Sequence, residues 1–356
     1  MDFGICVASH VNDIDYILRA EELGYSHAWC ADSQMLWSDC YATLALAATR
    51  TSRIRLGTGV AITGTRPAPV TAGSIATINA LAPGRTFLGL GAGNTAMRVM
   101  GLPPDRVRDL ERYVNTLRPL MRGEEGFYHT RGRDIPIRHV MPDDGFVNFK
   151  DEIPLYISGF GPKSLAVAGK LGDGAVLALP ANPAVMLNIK HMLETGANQI
   201  DRDLDSEDYY TTALTTIVVL DDGEEADSDR VKAQCGAMAM AAIHYSYEQV
   251  RNFGRQPGGV LRYVWDDYVK MIESYPEERR HQRIHAGHNC YVVPEEERFL
   301  TKEVLLASAM IGTRDQLIDQ LQALEQAGLN QVMVLPNFDT RFASIERLAK
   351  DVMPNV

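Results

Sequence analysis

The chain has 356 residues, 46% of them hydrophobic and 23% charged, which excludes a disordered chain, a coiled coil and a collagen-like fibre. Asp and Glu number 46 against 35 Lys and Arg, a formal charge of −11, so the chain lacks the net basic footprint with which nucleic-acid binders displace counterions. Its five cysteines are widely spaced with no C-x-x-C, and neither a basic leader nor a long apolar span occurs, so the expectation is a cytoplasmic enzyme with free thiols and no membrane partner.

Phe3–Ala8 reads as a buried strand, and Asp13–Leu23 as a helix with Ile14, Ile17, Leu18 and Leu23 near one face and Gly24 at its end. His27–Ala31 is the second strand and Asp39–Arg50 the second helix. Ile54–Val60 and Pro69–Leu81 make the third pair; Thr86–Leu90 and Asp105–Met121 make the fourth. Gly123–Asp151 loses periodicity and reads as an excursion holding a small hairpin. The alternation resumes with strand Pro154–Ser158, helix Pro162–Leu171, strand Ala175–Leu179, helix Pro183–Gln199 and a long seventh strand, Tyr209–Leu220. Helix Arg314–Ala327, strand Gln331–Leu335 and helix Arg341–Lys350 close the chain. Eight alternating units give the count of an α/β (β/α)8 TIM barrel in a single domain, with a long insertion, about 221–310, before the last helix–strand unit. A doubly wound open sheet is the rival, and it usually holds fewer strands before a domain break.

Three glycine-rich strand ends stand out. Gly57-Thr58-Gly59-Val60 closes the third strand, where glycine permits close approach of a planar ligand or simply makes a tight βα turn. Gly89, Gly91 and Gly93 alternate at the fourth strand's end before Asn94. This is not the G-x-G-x-x-G of a first βα turn, so a nicotinamide dinucleotide is not expected, and the alternation clears room for a flat ring. Ser158-Gly159-Phe160-Gly161-Pro162-Lys163 opens a helix with proline at its first turn, the arrangement that leaves backbone N–H groups facing an anion such as phosphate. His281, His285 and His288 invite a metal reading, but only Glu277 and Glu278 stand near and Gly287 breaks the helix, so no metal is expected. No nucleophile elbow and no Walker A loop occurs.

Residues 53–94 (RIRLGTGVAITGTRPAPVTAGSIATINALAPGRTFLGLGAGN) resemble the third and fourth units of the bacterial luciferase-like superfamily. GYSHAWCADSQ and PLYISGFGPKSLAVAGKLGDGAVL resemble its second and its fifth-to-sixth units, so the likeness covers most of residues 1–180 and the unit near 312–335. It implies a luciferase-like TIM barrel and redox chemistry on FMN or on the deazaflavin coenzyme F-420. It also implies a cis peptide at Gly59–Val60 behind the ring, with cofactor contacts from Asp32, Ser33, Gly59, Val60, Gly91, Gly93 and Asn94. The phosphate turn would be Ser158, Gly159, Phe160, Gly161, Pro162 and Lys163, whose G-P-K form resembles the methylenetetrahydromethanopterin-reductase branch. Two departures stand against transfer of one activity. Ser33 follows Asp32 where deazaflavin-dependent sugar-phosphate dehydrogenases of the superfamily place His, and Ile62-Thr63 replaces the usual Asn-Pro.

The missing His favours an FMN monooxygenase acting with oxygen on a small organic molecule, its reduced flavin supplied by a separate flavin reductase. The alternative is F-420-dependent hydride transfer, and a second alternative is a non-catalytic flavin-binding protein. The insertion is expected to act as a lid, with His285, His288 and Asn289 as catalytic candidates and Tyr291 beside them; an imidazole there could equally satisfy buried backbone groups. The poorly charged helices at 39–50 and 69–81 predict a homodimer through that face, unless the excursion covers it.

Overall fold

A computed structural model describes residues 1–178, 182–205, 208–254 and 256–356. The first four units are β1 (Asp2–Val7), α1 (Asp15–Glu22), β2 (His27–Cys30), α2 (Cys40–Ala48), β3 (Arg55–Ile62), α3 (Ala68–Leu81), β4 (Thr86–Gly91), the short α4 (Asn94–Arg98) and α5 (Val107–Met121). An antiparallel hairpin follows, β5 (Gly126–Thr130) and β6 (Arg133–Ile137), as expected of the excursion. Its two-residue turn has positive φ at both Arg131 and Gly132, the form whose twist matches that of the flanking strands. Then come β7 (Leu155–Ser158), α6 (Pro162–Leu171), β8 (Gly174–Ala178), α7 (Pro183–Ala197), β9 (Tyr210–Thr215) and β10 (Ile217–Val219). The insertion holds α8 (Asp229–Phe253), α9 (Trp265–Glu273), α10 (Arg280–Ile284) and α11 (Lys302–Ser308). The chain ends with β11 (Met310–Gly312), α12 (Arg314–Gln326), β12 (Gln331–Val334) and α13 (Arg341–Asp351).

Eight parallel strands close a barrel in the order β1, β12, β9, β8, β7, β4, β3, β2. The expected architecture is therefore present. The seventh strand differs from expectation: it is two strands, not one. β9 pairs with β8 and β12 inside the barrel, whereas β10 leaves it and pairs with β11. The change of partner falls at Thr216, whose hydroxyl donates to the Leu335 carbonyl while its own carbonyl accepts the N–H of Met310 at 2.9 Å. Leu179, the expected end of the sixth strand, lies outside the described residues.

Aromatic side chains fill the barrel lumen. Trp29 packs on Phe87 at 4.3 Å between ring centroids and on Tyr156 at 5.6 Å, with Val176 and Met333 beside them. Buried Gln331 ties this layer together, its Oε1 accepting from Trp29 Nε1 at 2.9 Å and from Thr212 Oγ1 at 2.8 Å. The insertion has its own core, built around Val231, Ile243, Tyr268, Phe299 and Leu305. Its long helix α8 begins at Ser228, whose Oγ accepts from Val231 N–H at 3.2 Å, and stops at Gly254, which takes φ +65°. No helix among the described residues is long and apolar enough to cross a membrane.

The excursion covers part of α3. Asn148 N–H donates to the Ala76 carbonyl at 3.0 Å, and Asn79 Nδ2 donates to the carbonyls of Asn148 and Asp151 at 3.0 and 2.9 Å. This accounts for part of that helix's low charge within one chain. Leu46, Val70 and Leu81 remain exposed on α2 and α3, while Ile75 is fully buried.

Candidate active site at the carboxyl ends of the strands

The register between β3 and β4 places one extra residue on β3. Thr58 faces Leu88, but the next pair is Ala61 with Leu90, so the chain bulges at Gly59–Val60. The peptide between these two residues is cis, as the family resemblance implies. Gly59 is required because a Cβ there would lie 2.6 Å from Cβ of Trp29. The alternating glycines of β4 make room for this bulge. A Cβ on Gly89 would lie 2.2 Å from the Thr58 carbonyl oxygen, and one on Gly91 would lie 2.9 Å from Val60 Cγ2 and 3.3 Å from Ser158 Cβ. Part of the space that the glycines clear thus belongs to Val60, which stays half-buried. Gly93 turns the chain into α4 with φ +86°.

Asp32 and Ser33, both buried, follow β2. Asp32 pairs with Arg66, whose other arm reaches Asp39 Oδ2 at 2.6 Å and whose guanidinium lies 5.0 Å from the Tyr41 ring centre. Burial raises the Asp32 carboxyl's pKa, and the Arg66 charge only partly opposes it. On the other side of the rim, Ser158 leads through Gly159 to the start of α6. Gly159 N–H donates to the Val176 carbonyl at 3.1 Å, and a Cβ there would strike the backbone of Leu165 and Ser164. Gly161 N–H donates to Ser164 Oγ at 3.2 Å, with open space beside its Cα. Pro162 begins the helix, Lys163 is exposed, and the helix-opening N–H groups of Lys163 and Ser164 are the kind that have no partner inside the helix. Phe160 is exposed on one side and meets Tyr245 of α8 edge-on, with ring centroids 6.3 Å apart.

The insertion reaches this rim from above. His288 Nε2 lies 3.3 Å from Thr95 Oγ1 and accepts from Asn289 Nδ2 at 3.0 Å. Trp37 lies over His288, and its Nε1 donates to Cys290 Sγ at 3.3 Å. Burial holds the His288 imidazole well below its ordinary pKa, so it is neutral at neutral pH. His288 Nδ1 and Asn289 Oδ1 are buried with no hydrogen-bond partner.

His285 is placed differently. It is buried, and its Nε2 faces Glu248 Oε1 at 3.2 Å. The second oxygen of Glu248 forms an ion pair with Arg98, 3.1 Å from its Nε but without a hydrogen bond, because that N–H donates to Asn94 Oδ1 at 2.8 Å. A buried chain Asn94–Arg98–Glu248–His285 thus joins the end of β4 to the insertion. Tyr291 is exposed. Among the described residues no group of three His, Cys, Asp or Glu could hold a metal ion.

The luciferase-like monooxygenase family matches residues 1–331. The chain belongs to this family. This luciferase-like chain is 26% identical over 350 residues to the 5,10-methylenetetrahydromethanopterin reductase of Archaeoglobus fulgidus, covering 96% of this chain and 94% of the relative. Among solved structures it resembles the coenzyme F-420-dependent tetrahydromethanopterin reductase of Methanopyrus kandleri, with a TM-score of 0.69 at 20% identity over 99% of this chain and 98% of that one. It also resembles the oxygenating constituent of 3,6-diketocamphane monooxygenase from Pseudomonas putida, solved with FMN, with a TM-score of 0.63 at 15% identity over 100% and 99% of the two chains. These likenesses confirm the barrel of this luciferase-like protein.

Sequence reasoning missed Arg66, Arg98 and Glu248. Arg66 carried a signal, as the lone charge between Arg55 and Arg85. Glu248 carried none, since it stands 37 residues before its partner His285 in an unremarkable helix.

Proposed function

We propose that this protein is an oxidoreductase that holds coenzyme F-420 at the carboxyl ends of its strands and transfers hydride between it and a small organic substrate. The observation that carries this reading is the G-P-K turn at the start of α6 on the same barrel rim as the Val60 bulge, in a chain similar along almost its whole length to a methylenetetrahydromethanopterin reductase. This reverses the order of the two readings drawn from Ser33, because a single side chain weighs less than similarity over 350 residues.

The residues fit such a group. Val60 offers a half-buried apolar support for a planar ring, while Gly161 has open space beside it and Lys163 adds positive charge where a phosphate would meet helix N–H groups. When bound, the deazaflavin supplies the carbon that gives or takes hydride. The protein's part is placement. Asp32, Arg66 and Asp39 fix the loop after β2, and Ser158 and Gly91 set the floor. His288, neutral at neutral pH, has a ring nitrogen, Nδ1, with no partner in the protein, and can use it to hydrogen-bond a substrate. His285 positions α8 and α4 through Glu248 rather than touching substrate.

FMN-dependent oxygenation remains the second reading, favoured by Ser33 and by the fold likeness to the diketocamphane enzyme. Titration of the purified protein with F-420 and with FMN, each oxidised and reduced, separates the two. We expect F-420 to bind at least about tenfold tighter, about 1.4 kcal/mol; tighter FMN with oxygen uptake would overturn the proposal. A homodimer through the exposed Leu46, Val70 and Leu81 belongs to the same reading.

A further inference from the structure

A cavity of about 400 Å³ opens at the opposite end of the barrel, among the amino-terminal ends of β1, β2, β3 and β9. That volume falls within the range of about 300–1,000 Å³ typical of small-molecule sites. Its charged groups differ in how far they are satisfied. Asp2 accepts from the Tyr210 hydroxyl at 2.7 Å. Glu21 accepts from the N–H groups of Ser52 at 2.9 Å and Ile54 at 3.0 Å, and Arg53 donates to the Glu21 carbonyl at 3.3 Å. Arg55 is the exception. Its Nε is buried without a hydrogen-bond partner.

His27, adjacent to Arg55 in the β2–β3 register, lines the same cavity and is 3% exposed. Its tautomer is fixed by the core. Trp29 can only donate, so Gln331 must turn Oε1 towards it, which aims the Gln331 amide N–H at His27 Nδ1, 2.7 Å away. The His27 proton therefore sits on Nε2, which is buried with no partner. Burial, and then the Arg55 charge, push the imidazole down to about 3, so it stays a neutral donor. Two neighbouring N–H donors, one of them cationic, thus lack an acceptor. Tyr156 and Tyr210 stand beside them with ring centroids 5.5 Å apart, and Tyr210 stacks on His27 at 5.5 Å. Flat aromatic surfaces next to unmatched donors suit a flat molecule carrying an acceptor-rich anionic head. Asp2 and Glu21 at the same cavity disfavour a doubly charged anion.

We propose that this cavity binds a small planar organic monocarboxylate, with Arg55 and His27 Nε2 donating to the carboxylate and the tyrosines packing against its body. The site is separate from the cofactor face and does not depend on the F-420 reading.

Calorimetric titration of the full chain with benzoate tests it, with benzamide as the uncharged isostere and inorganic phosphate as the more highly charged anion. Benzoate should bind at one site and tighter than either, and Arg55→Met should weaken it by about tenfold or more, the loss of a charge-assisted pair. In nitrogen-resolved NMR, the His27 Nε2–H resonance should shift on benzoate addition in the wild type. No benzoate binding, equal binding by benzamide or phosphate, unchanged binding by Arg55→Met, or a His27 signal that does not respond would each overturn the proposal. Saturation with F-420 or FMN beforehand should leave the benzoate isotherm in place, and displacement by either would put the ligand at the other face and sink the assignment.

Discussion

The strand ends of the barrel and the inner surface of the insertion meet at one site but are built from different materials. At the barrel's rim the shape comes from backbone: a one-residue bulge in β3, glycines where a Cβ would collide, and a helix start that leaves N–H groups free. In the insertion the shape comes from buried polar side chains: Glu248 and His285 in one chain that reaches Arg98 of α4, and His244 with Glu296 at 3.1 Å in another. A backbone device tolerates little change at its own position and couples weakly to distant residues. A buried charge network is held by partners far away in sequence, and loss of one partner strands the others.

Breaking the insertion's network should have the largest effect. Glu248→Ala leaves Arg98 and His285 buried without their carboxylate, and we expect a loss of about 3–5 kcal/mol of stability. Denaturant unfolding measures it, and a loss below about 1 kcal/mol would show that the network is not what anchors the insertion.

Acid titration asks which region fails first. His27, in the barrel, has a folded-state pKa near 3 against about 6.5 unfolded, so its contribution is complete above pH 6.5 and is lost as pH falls towards 3. At pH 5 the loss is about 2 kcal/mol from this residue. His288, in the insertion, shifts in the same direction. His288→Asn should therefore flatten the pH dependence of unfolding below pH 6.5 but leave the share due to His27. An unchanged slope would place the acid sensitivity in the barrel alone.

The rim should respond in binding rather than in stability. Gly91→Ala pushes against Val60 Cγ2 and Ser158 Cβ, and we expect about tenfold weaker F-420 or FMN binding with little change in thermal midpoint. Gly161→Asp has room for its side chain, so its effect is electrostatic: weaker binding of phosphorylated flavin and unchanged binding of riboflavin, read by fluorescence titration. The smallest effect on stability belongs to Leu46→Glu. This exposed position should change folding by less than about 0.5 kcal/mol, yet light scattering should show a dimer becoming a monomer. Ile75 cannot serve for that test, because it is buried within its own subunit.

Sequence alone fixed what depends on local pattern. Eight alternating units, the glycines at Gly59, Gly91 and Gly93, and the turn from Ser158 to Lys163 were legible because strand and helix periods, glycine spacing and a helix-opening proline are written within a few residues of one another. His285, His288 and Asn289 were legible only as a polar cluster. Tertiary structure set His285 apart, pairing it with Glu248 from 37 residues away, and left His288 against Thr95 at the rim. It also split the seventh strand at Thr216, since a change of pairing partner leaves no mark on a run of β-formers. The same holds at the other end of the barrel. Nothing in the sequence marks His27 and Arg55 as neighbours, because they meet only through the register of two strands whose order and stagger the closure of the barrel decides.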